Sequence, residues 1–442
     1  MCCIVRTAAG DIILWHLRFA HFPFLGTMAT SATTASEGLQ VPTTAEGYTP
    51  EWVSKALGIP ISPQNFELTG NVQEGTGFLS SIFRISCHTE PKDDEKSRQL
   101  NLIVKTLPAG ESEFEKMNRQ LSVDQNFDII EINFYKYVLP DIIKELPELE
   151  SYLCKFYTGF ISQQPRNSVI ILEDLKAQCY YSVNFLTGEL NQPQIEQGVK
   201  FIAKFHYAGT AVLHKKEAKT PNEMYPFLAG VKGEFSLRNY FLEGYSTLDE
   251  FFASQNCSPE FRRYFAQLGT DPSEIVDSIF AELYKPKSLL HGDPWVNNVL
   301  LNDNPDLPSV KFIDWQLVTA GDPVWDIALT IVTFLPASKL NKENVVSLFK
   351  LYFDTYVDYC RRNELDVLTT REYEEFLRDF LTYGMSLIYM WFSMARDRFV
   401  NNLPRYLGIY EFLYKEVDIV PFLLKSVKKG KQSDFHPFGA KS

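Results

Sequence analysis

Three runs between Phe66 and Pro108, "FELTGNV", "FLSSIFRISCH" and "LNLIVKTLP", mix β-branched, aromatic and polar residues as strands do. The charged "TEPKDDEKSRQ" between the last two reads as a solvated hairpin loop. Upstream, "TPEWVSKALG" predicts a short helix with Thr49 as N-cap, Pro50 in its first position and Gly58 near its end. Downstream, "FEKMNRQLSVDQNFDIIEINFYKYVLP" shifts to helical periodicity, and "SVIILEDL" reads as a buried strand. From Gln192 the pattern is mainly helical, as in "QIEQGVKFIAKFHYAGTAVL" and "EEFLRDFLTYGMSLIYMWFSMARDRF", interrupted by a strand pair around residues 289–314. A strand-rich first third before a helix-rich remainder predicts an α+β, two-lobed architecture. The expected divisions are an extension over 1–44, a β-rich lobe over 45–175, a mainly helical lobe over 176–428 and a basic tail over 429–442. No internal repeat is visible.

Composition narrows the picture. With 442 residues, 45% hydrophobic and 14% aromatic, the chain can bury a large core. A net charge of −12 argues against a nucleic-acid groove. The seven cysteines are scattered, odd in number and without a CxxC pair, which fits a reducing, cytoplasmic setting better than a disulfide framework or a zinc site. No apolar run reaches the length of a membrane span. The opening "MCCIVRTAAGDIILWHLRFAHFPF" is broken by Arg6, Asp11, His16, Arg18 and His21, so it lacks the apolar stretch of a signal peptide. Residues 1–27 read as an upstream extension with no part in the fold, or as an amphipathic anchor.

Three polar clusters stand out. In "EGTGFLSSIFRI", Gly75 and Gly77 lie between two strand signals, where backbone N–H groups can approach an anion; an ordinary hairpin turn explains them equally well. Ser80 and Ser81 could add hydroxyl donors, and no Gly-Lys-Ser/Thr follows to make a P-loop. Second, Lys105 ends "LNLIVK", while Glu131 falls inside the apolar stripe of Phe127, Ile130, Phe134 and Val138. A carboxylate on an inward face needs a partner, and Lys105 is the natural one. Taken singly, each could instead be a surface charge.

The third cluster is "SLLHGDPWVNNVLL" followed by "DNPDLPS" and "VKFID". A hairpin with turn chemistry in its middle brings Asn298 and Asp314, at its two ends, side by side. Two converging oxygen ligands suit a magnesium ion that also holds phosphate oxygens. Asp293, five residues before Asn298, could accept a proton from an attacking hydroxyl. The alternative has Asp293 and Asn298 capping a turn and Asp314 ending a strand.

"HGDPWVNNVL", "FIDWQ" and "GDPVWDIA" resemble the choline kinase and aminoglycoside phosphotransferase type of enzyme, and within it the ecdysteroid kinase-like (CHK kinase-like) group. "EGTGFLSSIFRI", "EINFY" and "VIILEDL" also resemble that group, so the likeness spans about residues 45–425. It implies a protein-kinase-like bilobal fold and an ATP- and Mg²⁺-dependent transfer of phosphate to a hydroxyl. By the resemblance, Asp293 is the catalytic base and Asn298 and Asp314 bind Mg²⁺. Lys105, paired with Glu131, holds the nucleotide phosphates. The loop of Gly75, Thr76, Gly77, Ser80 and Ser81 covers them, and the backbone at Glu173–Leu175 meets the adenine. His291 and Asp326 brace the catalytic loop, and His206 is a satisfied core histidine.

A protein kinase's catalytic loop carries Arg where this chain has Gly292, and "WQLVTAGDPVW" between Asp314 and Asp326 is too short for a peptide-docking segment. A small-molecule alcohol is therefore the expected acceptor, with a steroid alcohol as one candidate and choline-like cations less supported. Met385, Tyr389, Trp391, Phe392 and Met394 offer an apolar wall for it, or ordinary helix packing. The competing readings are a catalytically silent nucleotide-binding module and a protein kinase.

Overall fold

The computed structural model of the protein describes residues 5–6, 12–13, 38–70, 79–91, 96–183, 185, 188–215, 220–229, 237–269, 272–365, 372–395 and 403–430. Apart from a two-residue ladder between Val5–Arg6 and Ile12–Ile13, the extension over 1–27 lies outside these residues, as do Gly75, Thr76, Gly77 and the tail from residue 431. The chain forms two compact units, residues 1–132 with 155–177, and residues 133–154 with 178–442.

The first unit is built on a five-stranded antiparallel sheet. Helix α1 (Pro50–Leu57) begins where the Thr49 hydroxyl accepts the Trp52 N–H at 3.2 Å and ends at Gly58, whose φ of +66° is the left-handed turn that favours glycine. Strands β1 (Ile61–Thr69), β2 (Ser81–Thr89), β3 (Gln99–Thr106), β4 (Phe156–Gln163) and β5 (Arg166–Glu173) lie in the order β1-β2-β3-β5-β4. Along β2 every second residue is buried, so Phe83, Ile85 and Cys87 face α1 together with Leu102, Val104, Val169 and Ile171. Lys105 belongs to the opposite face of β3 and stands across the ladder from Ile82 and Ile170. Helix α2 (Glu113–Asp124) is capped by Ser112, and α3 (Phe127–Asn133) buries Phe127, Ile130 and Glu131.

The second unit is mainly helical, which with the β-rich first unit makes the expected α+β class. Its long helix α4 (Gln192–Lys215) runs beside β6 (Ser288–Leu290). Strands β7 (Val299–Leu301) and β8 (Val310–Phe312) form the expected hairpin, with Val299 opposite Phe312 and Leu301 opposite Val310. The Asn302 and Asn304 side chains accept the Asp306-side amides of its turn, at 2.7 Å from Asn304 N–H and 3.0 Å from Asp306 N–H. Strand β9 (Thr319–Gly321) pairs with β6 and leads into α5 (Val324–Phe334), in which every residue is buried. Helices α6 (Lys342–Arg362), α7 (Met385–Ala395) and α8 (Leu403–Phe412) complete the packing used below.

Candidate active site

In the first unit, Lys105 Nζ lies 2.5 Å from Glu131 Oε2, with the lysine side chain 13% exposed and the carboxylate 1%. Helix α3 has no freedom to turn Glu131 outward, because Phe127 and Ile130 on the same stripe are core residues. Burying this carboxylate is tolerable only with a cation beside it, and Lys105 supplies one. The Ser81 hydroxyl accepts the Ala109 N–H at 3.2 Å and is buried, whereas Ser80 is partly exposed. After β5, Glu173 N–H donates to Lys155 O at 2.9 Å and Asp174 N–H to Asn101 O at 2.9 Å. The Arg84–Asp174 ion pair further fixes the backbone leading to the buried Leu175.

In the second unit, β6 delivers the chain into the loop His291–Asn298. Gly292 has φ +85°, and its N–H donates to Asp326 Oδ1 at 3.0 Å. Asp326, fully buried on α5, also accepts His291 N–H at 2.7 Å and His206 Nε2–H at 3.1 Å. His206 in turn accepts the Tyr352 hydroxyl at Nδ1, at 2.8 Å. One carboxylate thus ties α4 and α6 to the two residues preceding Asp293, which is the bracing role expected of Asp326. His206 is a satisfied core histidine, and it is also a link in this chain. The His291 ring accepts Asp293 N–H at Nδ1, at 3.3 Å, and donates from Nε2 to Ile313 O at 3.1 Å. These partners require the neutral tautomer. Burial pushes the His291 pKa below the ordinary histidine value, against the opposing pull of Asp326 and Asp314.

Asn298 closes the loop. Its Nδ2 donates to both the carbonyl oxygen and Oδ2 of Asp293, at 2.9 and 3.0 Å. Its own carbonyl accepts Ile313 N–H at 3.0 Å, extending the β7–β8 ladder by one rung toward Asp314. Asp314 has φ +67°, a left-handed conformation that costs an L-residue about 1–2 kcal/mol and that Asp tolerates better than most. Gln316 Nε2 donates to its Oδ2 at 3.3 Å. With both Asn298 amide hydrogens turned to Asp293, the amide oxygen is the atom it can offer a cation. An amide oxygen and a carboxylate are hard donors, too few for a complete cage. Among the described residues no group of three or more His, Cys, Asp or Glu side chains converges on a metal position. This donor set fits Mg²⁺, which commonly takes one or two protein oxygens and fills its shell with water and phosphate.

The expected acceptor wall is different. Met385, Tyr389 and Phe392 are buried core residues, because α7 is apolar on nearly all sides and packs against α5. Trp391 alone of these four remains partly exposed, and the Met394 side chain lies outside what is described. Sequence reasoning missed Trp295, partly exposed two residues after Asp293, and the buried Arg405. A bulky aromatic inside the polar loop was the available signal for the first. A lone cation within "LPRYLGIYEF" was the signal for the second.

A comparison with curated protein sequences finds no match. Among solved structures, an aminoglycoside phosphotransferase from Alicyclobacillus acidocaldarius is 14% identical, covering 83% of this chain and 93% of its own, at a TM-score of 0.38. Choline kinase LicA from Streptococcus pneumoniae is 12% identical, covering 84% and 94%, at 0.33. A microcompartment-associated aminopropanol kinase is 11% identical, covering 86% and 96%, at 0.36. The model of the ecdysteroid kinase-like family matches residues 74–364. The chain belongs to the ecdysteroid kinase-like family.

Proposed function

We propose that the protein is an ATP- and Mg²⁺-dependent phosphotransferase acting on a hydroxyl of a small molecule, a steroid or another lipophilic alcohol. The observation that carries this reading is the Asp293–Asn298 pair at the mouth of the β7–β8 hairpin. The Asn298 amide nitrogen grips Asp293 at two atoms, while the Asn298 main-chain carbonyl accepts the Ile313 N–H next to Asp314. A carboxylate held this firmly is oriented before substrate arrives, which is where positioning catalysis gains most.

In this reading the acceptor oxygen forms a bond to the γ-phosphorus, the bond to the departing ADP breaks, and Asp293 receives the hydroxyl proton. Asn298 and Asp314 would hold Mg²⁺, which when bound neutralises charge on the phosphate oxygens. Lys105, kept extended by Glu131, would meet the nucleotide phosphates, as would the glycine turn at 75–77 with Ser80 and Ser81. The backbone at Glu173–Leu175 would meet the adenine. Membership of the ecdysteroid kinase-like family supports the reaction class.

Asp293→Asn is the test. A general base contributes about 10²–10⁴ in rate, so turnover should fall by that factor while MgATP affinity changes less than about threefold. Phosphate transfer is followed by mass spectrometry of a metabolite extract incubated with ATP and Mg²⁺. Full turnover by the variant would overturn the assignment.

A further inference from the structure

The two faces of the sheet in the first unit are not equally covered. On one side of β2, Phe83, Ile85 and Cys87 are buried against α1. On the other side Ile82, Arg84 and Ser86 keep part of their surface exposed, as do Ile103 and Lys105 on β3.

The register lays this open face out in rungs. Ile82 stands opposite Lys105. On the next rung Arg84 stands between Thr69 and Ile103, and Leu172 lies beyond Ile103. Ser86 follows, with Asn101 on one side and the exposed Glu67 on the other. Residues two apart in a strand are separated by about 7 Å, so Arg84 lies one such step from the lysine rung. That step runs toward the end of β5, where the chain continues into Glu173–Leu175. Glu173 itself stands opposite Leu102 and so belongs to the covered face.

A buried carboxylate fixes the Arg84 guanidinium in this position. Arg84 Nε donates to Asp174 Oδ2, and Asp174 Oδ1 accepts the Lys176 N–H at 3.0 Å. The Asp174 side chain is 5% exposed and that of Arg84 29%. Both carboxylate oxygens are thus engaged, and the guanidinium is tied to the backbone that leaves β5. Among the described residues neither Nη1 nor Nη2 of Arg84 has a hydrogen-bond partner. The remaining N–H donors form a rigid, aimed fork on a partly open surface.

Position and charge together select what meets that fork. With nucleotide phosphates at Lys105 and the base against Glu173–Leu175, a group one rung from the lysine and bonded to Asp174 lies beside the nucleoside. Two carboxylates surround Arg84, Asp174 in contact and Glu67 one rung away, which makes this end of the face unattractive to phosphate. A hydrogen bond from a guanidinium to a neutral ring nitrogen or a sugar hydroxyl is still charge-assisted. Ile103 beside it adds apolar surface for a flat ring.

We propose that Arg84 is a nucleotide-binding residue whose terminal nitrogens donate to the nucleoside, and that Asp174 is the positioning residue that aims them. The proposal rests on the phosphotransferase reading for the placement of the phosphates.

The test separates the two halves of the nucleotide. Full-length protein is titrated by calorimetry with MgATP, with adenosine and with magnesium tripolyphosphate, which lacks a nucleoside. Arg84→Lys keeps a cation beside Asp174 but removes the fork. It should weaken MgATP and adenosine by about tenfold and leave tripolyphosphate affinity within about twofold of the parent. In turnover the same variant should raise KM for MgATP and leave KM for the acceptor alcohol unchanged. Lys105→Met with Glu131→Leu should show the converse, losing tripolyphosphate and keeping adenosine. Unchanged adenosine affinity in Arg84→Lys, or equal weakening of adenosine and tripolyphosphate, would overturn the proposal, the second by showing that the Arg84–Asp174 pair only holds the strands together. Should Arg84→Lys not fold, Arg84→Gln, whose amide can still donate to Asp174, decides by the same criterion. A parent protein that binds none of the three ligands would instead overturn the phosphotransferase reading, and this proposal with it.

Discussion

Gly292→Ala is a demanding test of how the catalytic loop is built. The added methyl would lie 2.1 Å from Leu317 O, 2.8 Å from Leu317 C and 3.1 Å from Leu317 Cβ. The φ of +85° costs an L-residue about 1–2 kcal/mol before any contact is counted. The clash is with main chain, so no rotamer change relieves it, and forcing the backbone aside adds about 1–3 kcal/mol. The expected loss is therefore about 2–5 kcal/mol. A displaced Gly292 would also release its N–H from Asp326 and its carbonyl from the Trp325 indole, both at 3.0 Å. Gly269 is the control, since it has φ +83° with nothing within 4 Å of an added Cβ. Gly269→Ala should cost only the conformational share, about 1–2 kcal/mol. Urea unfolding followed by tryptophan fluorescence gives both values, and hydrogen exchange at the His291 and Gly292 amides reads the loop directly. Equal losses in the two variants would refute the steric part. A Gly292→Ala protein within about 0.5 kcal/mol of the parent would refute the whole account.

Two further outcomes follow from the buried charges. Lys105→Met strands Glu131 and should cost about 3–5 kcal/mol, whereas Lys105→Met with Glu131→Leu should recover most of the stability without recovering nucleotide affinity; thermal melts with and without MgATP separate the two effects. Below about pH 6.5 the unfolded chain binds a proton at His291 that the folded protein resists, because burial depresses the folded pKa. That contribution is present above the unfolded value and is lost as pH falls toward the folded one. Tm should therefore drop on acidification, and less steeply in His291→Asn; parallel profiles would contradict the neutral, buried assignment.

Much of the first unit was legible from residues near one another in the chain. Thr49, Pro50 and Gly58 delimit α1 as their types require, and the alternation in "SIFRISC" sets which face of β2 is buried. Glu131 could be matched to Lys105 because an apolar stripe leaves a carboxylate few options, and the structure joins them. The apolar wall drawn from α7 fared differently, since a helix apolar on most sides does not reveal in sequence which side meets solvent. Three of its residues went to the core and Trp391 did not.

Local chemistry, then, determined the caps, the strand periods and the hairpin that carries Asn298 toward Asp314, because these depend on neighbours a few residues away. Tertiary structure decided the rest. Asp326 meets His206 across 120 positions, and His206 meets Tyr352 across 146. Arg405 finds its four carbonyls on segments up to 220 residues distant. No periodicity encodes such meetings; they arise when helices close around a buried polar group that must find its hydrogen bonds wherever the chain brings them.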